Sequence, residues 1–110
     1  DGWPTIFADW ISFANRDDVL FVLSVGGGVD GVPGVSLPLV WAIDHAKPRG
    51  MKVLGIVGRD GGYTKKRGDC VIVVPTVNAE RVTPHTEGWQ SVILHCIISH
   101  PELQIRKCKW

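Results

Sequence analysis

The residues with the plainest chemical potential lie between Ser24 and Ser36, in the stretch SVGGGVDGVPGVS. Gly26, Gly27, Gly28, Gly31 and Gly34, with Asp30 and Pro33, are turn formers, so neither strand nor helix continues through them. The apolar run Val19–Leu23 precedes them. Ser36 follows where a helix N-cap belongs, with Pro38 in the first helical turn. A strand that feeds a glycine loop into a helix N-terminus gathers unpaired N–H groups and the positive end of the helix dipole, a combination that suits phosphate. In parallel sheets such sites lie at the carboxyl ends of the strands. The same residues would also serve as a long surface loop between two elements.

Two nucleotide-binding readings compete for this stretch. Gly26 to Gly31 matches GxGxxG in form, but the dinucleotide fingerprint opens its helix inside the motif. Here Gly31, Pro33 and Gly34 delay the helix to Ser36, and Asp60 stands too far downstream to be the ribose acid. A Walker loop needs a lysine before the serine, where Val35 stands. The Walker reading is rejected and the dinucleotide reading is disfavoured.

A second glycine turn, Gly58-Arg59-Asp60-Gly61-Gly62, closes the apolar run Met51–Val57. Arg59 and Asp60 could meet a ligand there. They could equally pair with each other or cap the short helix that follows, the commoner outcome for loop charges. Histidine suits proton transfer because its unperturbed pKa lies near neutrality. His95, however, stands alone on an amphipathic helix, where a histidine is by default packed or satisfied. His45, late in its helix, reads as a charge that complements the helix C-terminus. Cys70, Cys96 and Cys108 are an odd number without CxxC spacing, which argues against a disulfide framework or zinc knuckle and for a reducing compartment.

The elements that must position these residues read as helix, strand, helix, strand, strand, helix. Trp3, Ile6, Phe7, Trp10 and Ile11 form one apolar stripe over residues 3–14 and are expected in the core. Val19 to Leu23, Met51 to Val57 and Cys70 to Val74 are near-continuously apolar, as strands of a parallel sheet are. A helix is expected from Ser36 to about Lys47, ended by Pro48 and Gly50. Tyr63 to Arg67 has room for one or two turns. Thr83-Pro84 reads as N-cap and first position of a last helix that runs to about Ser99, with Trp89, Val92, Ile93, Cys96 and Ile97 as its buried stripe. This order predicts an α/β fold with a parallel sheet and right-handed crossovers. Three strands are few for a doubly wound sheet.

Composition bounds the alternatives. The 110 residues give room for one small domain, and an apolar content of 45% is that of a globular chain. A net charge of +1 gives no reason to expect nucleic acid or an acidic membrane surface. Lys65 to Arg67 is a short solvated basic run. No apolar run approaches the roughly 20 residues that span a bilayer, and no signal peptide is visible. The tail 102–110 reads as loosely held, and the start at Asp1 without methionine suggests a fragment.

Taken together, the strand, the SVGGG loop, the Ser36-capped helix, KVLGIVGRDGG and the VIVVP strand resemble the sugar isomerase (SIS) domain family, closest to its phosphoheptose isomerase branch. The family's S-T-S-G-x-S loop maps onto Ser24, Val25 and Gly26 or Gly27, with Ser36 as its last serine after an insertion. The stretch EGWQSVILHCII resembles the family's Q-E-x-H-x-x-x-x-H, which puts Glu87 on its glutamine, Gln90 on its first histidine and His95 on its catalytic histidine. The resemblance runs from about residue 16 to residue 104.

That resemblance implies a three-layer, doubly wound, flavodoxin-like sheet, incomplete on its N-terminal side because the family's first strands, other serine loop and catalytic glutamate lie upstream of anything present. It implies aldose–ketose isomerisation of a sugar phosphate such as sedoheptulose 7-phosphate through an enediol, or, as the alternative, a non-catalytic phosphosugar-binding module. Ser24, Val25, Gly26, Gly27, Gly28, Ser36 and Glu87 would bind substrate and phosphate, and His95 would be the acid/base. Zinc, used by some members, would fall to Glu87 and His95. A cytoplasmic homo-oligomer, dimer or tetramer, is implied too, with no nucleic acid or membrane partner. His95 is expected to face the glycine loop, with Trp89, Val92 and Cys96 on the sheet. The strand Val19–Leu23 is expected to become a bare sheet edge, completed either by upstream sequence or by self-association.

Overall fold

The structure, a computed structural model, describes residues 3–107 and 109; Cys108 and the chain ends at Asp1 and Trp110 lie outside the described residues. After a 3₁₀ turn at Trp3–Thr5 come α1 (Ile6–Ile11), β1 (Val19–Ser24), α2 (Leu37–Ala46), β2 (Lys52–Val57), α3 (Gly62–Arg67), β3 (Cys70–Val73) and α4 (Val82–Ile98). The strands form one parallel sheet in the order β1-β2-β3, with Val19 opposite Lys52, Ser24 opposite Val57, and Leu54 opposite Cys70. The expected α/β class and parallel sheet are therefore present. So is the expected edge, since among the described residues β1 pairs with β2 alone.

The core follows from period-two alternation along the strands. Val22 and Val53 join Ile11, Ala42, Ile43, Ala46 and Met51 in one buried cluster between the sheet, α1 and α2. Ile56, which alternation directs to the other face, is also fully buried, and α4 packs against β2. At the amino ends of the strands, Asp69 ties three elements. Its Oδ2 accepts from Val53 N–H at 2.8 Å and its Oδ1 from Lys47 Nζ at 3.0 Å. The Val53 amide, then the lysine, holds the Asp69 carboxyl below its ordinary pKa.

Several expectations are corrected. The first helix is one short α-helix behind a 3₁₀ turn, so the 3.6-residue stripe is broken. Of that stripe Ile11 is buried as expected, with Ala8 beside it, while Trp3 and Trp10 are 71% and 66% exposed. Beside an edge strand there is little surface for large aromatics to cover; Phe7 and Trp10 stack edge to face on each other at 5.8 Å. The last helix starts at Val82, not after Thr83. Pro84 is tolerated there because the first four helical N–H groups have no intrahelical partner.

The face of α4 turned inward also differs. Trp89, Val92 and Cys96 are exposed, and the buried positions are Thr86 and Gln90, with Ile93 and Ile97 half-buried. At the last strand, Val74 falls outside β3, yet its N–H still donates to Val57 O at 2.7 Å. Within the expected tail, Leu103 and Gln104 N–H both donate to His100 O at 2.9 Å. No helix among the described residues is long and apolar enough to cross a membrane.

Candidate functional site

The two glycine loops meet at the carboxyl ends of β1 and β2, and they meet through backbone. Gly58 N–H donates to Val25 O at 2.8 Å. Tyr63 N–H donates to Gly28 O at 2.8 Å and Thr64 N–H to Gly27 O at 2.9 Å, while the buried Thr64 hydroxyl donates to that same Gly27 oxygen at 2.8 Å. Gly62 N–H donates to Asp60 Oδ1 at 2.9 Å. The opening amides of α3 are thus already occupied, and Asp60 accepts from the first of them rather than pairing with Arg59.

Glycine is required at this junction. Gly27 has φ 76° and Gly62 has φ 53°, a region L side chains rarely adopt. A Cβ on Gly27 would overlap the Gly61 carbonyl, and one on Gly62 the Gly26 carbonyl.

Beyond Gly28 the chain makes an excursion and returns. Val29 and Val35 exchange N–H···O bonds of 2.9 and 3.0 Å, which close residues 29–35 on themselves, with a cis Val32–Pro33 peptide at the tip. The excursion delivers Ser36 to the start of α2 in the left-handed region, φ 53° and ψ 47°, without a side-chain capping bond. Ser36 therefore holds the expected N-cap position, but its side chain makes no capping bond. A capping oxygen accepts from the second or third helical N–H. The second position is Pro38, which has none, and the Leu39 N–H donates to Ser36 O at 2.9 Å. The Ser36 hydroxyl is left to the cleft.

That cleft, about 510 Å³, is lined by Val25, Gly26, Gly28 and Ser36 from the first loop, Arg59 and Asp60 from the second, and Thr83 of α4. Four of the expected phosphate residues are brought together. Gly27 sits buried behind them against α3. Ser24 lies half-buried beneath: its Oγ accepts from Gly27 N–H at 3.0 Å, and its carbonyl accepts from Gln90 Nε2 at 3.1 Å. Gln90 is 8% exposed and also donates to Ile56 O at 2.8 Å, so it fastens α4 to the ends of β1 and β2.

Glu87 and His95 are not brought to the cleft. Both are exposed on α4. At 100° per residue, His95 lies about 140° round the helix from the inward-facing Gln90, which corrects the expectation that it faces the glycine loop. Glu87 and His95 are also about 12 Å apart along the axis. Among the described residues, no three His, Cys, Asp or Glu side chains come together as a metal site. The residues described here do not fit a zinc ion by themselves.

Some site residues escape sequence reasoning. Thr64 sits in a stretch that reads only as a short helix. Thr86, fully buried, presses on Gly58, where a Cβ would strike its hydroxyl. Thr83, a cap by its sequence context, lines the cleft instead. In a separate, neighbouring cleft, Tyr63 OH donates to Asp44 Oδ1 at 2.5 Å. That bond to a carboxylate, with burial, pushes the phenol up to about 12.

No family model matches the chain. Among curated proteins it is similar to the phosphoheptose isomerase of a Nitratiruptor species, 34% identical over 99 residues, 89% of this chain and 47% of that protein. It is similar to a phosphoheptose isomerase of Helicobacter pylori as well, 30% identical over 100 residues, 90% of this chain and 48% of that one. In three dimensions it matches a phosphoheptose isomerase from Francisella tularensis, with TM-score 0.68, 27% identity, 86% of this chain and 48% of the other. A phosphoheptose isomerase from Neisseria gonorrhoeae gives TM-score 0.65, 25% identity, 87% of this chain and 51% of the other. The chain spans about half the length of these relatives. Over that half, the chain is similar to phosphoheptose isomerases by sequence and by fold.

Proposed function

We propose that this chain is a phosphosugar isomerase unit whose cleft holds the phosphate of a sugar phosphate such as sedoheptulose 7-phosphate. The observation that carries the reading is the cleft at the carboxyl ends of β1 and β2, lined by Gly26, Gly28 and Ser36, in a chain similar to phosphoheptose isomerases. The reaction is aldose–ketose isomerisation. A base removes the proton alpha to the carbonyl, an enediol forms, and an acid returns a proton to the neighbouring carbon. His95 is the proposed acid/base, with Glu87 as a substrate contact. Because His95 faces away from this chain's own cleft and Glu87 is not on its lining, they act on a site completed from outside these residues, which fits a homo-oligomer. An SIS-type domain over residues 1–110 and a cytoplasmic location belong to the same proposal.

A second reading has its own support. His95 points away from the cleft, and Val25 and the glycines offer no hydroxyl where the resembling loop has threonine and serine. Both facts favour a phosphosugar-binding module without turnover. The experiment is to incubate the protein with sedoheptulose 7-phosphate, follow aldose–ketose exchange, and titrate phosphate against the amide resonances of Gly26, Gly28 and Ser36. Turnover abolished by His95→Gln supports the isomerase. Amide shifts without turnover support the binding module. Absence of both discards the phosphate site.

A further inference from the structure

We propose that Arg59 supplies the positive charge of the phosphate site. The inference rests on the reading of the cleft as a phosphate site, and it begins from a shortage there. A phosphate monoester carries a charge of about −2 near neutral pH. The first loop offers few groups to meet it: Val25 and Gly26 bring no hydroxyl, and Ser24 lies beneath the cleft rather than on its lining. The nearby start of α3 offers less still, because its opening amides donate to Gly27 O, Gly28 O and Asp60. What remains on the lining is the Ser36 hydroxyl, left without a cap to make, the Thr83 residue and backbone amides.

Arg59 is the one cation on the cleft's lining among the described residues. Its guanidinium has neither an ion-pair nor a hydrogen-bond partner among them, since the neighbouring Asp60 is engaged with Gly62 N–H. Other basic residues nearby are differently placed. Arg67 lies 4.0 Å from Asp44, and Lys66 lines a separate cleft beside Tyr63. Arginine's planar fork suits a phosphate, with two parallel charge-assisted bonds to its oxygens. Arg59 thus compensates in charge for hydroxyls the loop lacks. It also makes the site selective for a phosphorylated sugar over the free sugar.

The test uses inorganic phosphate and sedoheptulose 7-phosphate as probes, with Arg59→Gln and Arg59→Gly as variants. Arg59 sits at φ 50°, where glycine is at ease, so Arg59→Gly removes the charge while relieving the backbone and should melt no lower than wild type. Both variants should lose roughly ten- to a hundredfold in affinity for both probes, the size of a lost charge-assisted bond. They should also show a weaker dependence of binding on salt. Arg59→Lys should recover part of the loss. If wild type and both variants bind the probes equally, with the shifts at Gly26, Gly28 and Ser36 intact, Arg59 is a solvated surface charge and only the cleft reading stands. If wild type itself shows no response at those amides, the cleft reading falls, and the role of Arg59 with it.

Discussion

The side-chain amide of Gln90 donates to the carbonyl of Ser24 across 66 positions of sequence, and to Ile56 O as well. One buried group therefore joins the last helix to the ends of two strands at the floor of the cleft. Gln90→Leu would leave both carbonyls without this donor, at a cost of about 2 kcal/mol in a urea titration. Gln90→Glu keeps the shape but sets a carboxylate against two carbonyl oxygens. It should be worse than leucine at neutral pH and recover partly in acid, where the protonated carboxyl regains a donor. Equal stability of wild type and both variants would mean the clamp is dispensable.

The two glycines of the first loop should answer differently to the same change. Gly27→Ala must overlap the Gly61 carbonyl at a positive φ, whereas a Cβ on Gly26 meets nothing within 4 Å. Thermal melts should show Gly27→Ala losing about 2 kcal/mol or more and Gly26→Ala within about 0.5 kcal/mol of wild type. Should the two lose alike, the backbone junction is misplaced.

Ser36→Ala separates ligand binding from stability. Since the hydroxyl makes no capping bond, stability should change by less than about 0.5 kcal/mol, not the roughly 1 kcal/mol of a lost cap. Affinity for phosphate should still fall. A full cap-sized loss of stability would restore the capping role.

Asp69 sets an acid limit on the fold. Its pKa is depressed in the folded state, by the Val53 amide first and Lys47 second. The stability it contributes is therefore present above the unfolded-chain value of about 3.9 and is lost as pH falls through the lower folded value. Urea midpoints measured from pH 6 down to pH 2 should fall with acid, and Asp69→Asn should flatten that fall. A variant with the wild-type acid slope would assign the loss to other carboxylates.

The strands were legible in the sequence because their burial leaves near-continuous apolar runs, and β1, β2 and β3 fall within a residue or so of where those runs lie. The two glycine turns were legible for a similar reason, since few other residues tolerate positive φ. The faces of α1 and α4 were not. Periodicity says that a helix has an apolar side, but not that a neighbouring strand will be there to receive it. So Trp3 and Trp10 remain exposed beside the edge strand, while the polar Gln90 goes inside. A buried glutamine has no pattern of its own; what draws it inward are two carbonyl oxygens supplied from distant segments. Ser36 stands at the N-cap as its type suggests, but its side-chain bond is missing, and Pro38 two positions later was the available sign that the cap had one fewer amide to serve.

The junction between the two loops is written in main-chain atoms, and this bears on how the sequence can drift. Gly27 O and Gly28 O are held by amides that nearly any residue at 63 and 64 would supply, and residues 29–35 are sealed by their own Val29–Val35 pair. Side chains along the first loop can thus be exchanged, and the excursion lengthened or trimmed, while Gly28 and Ser36 keep their places. The cleft is free to change its chemical preferences faster than it changes its shape.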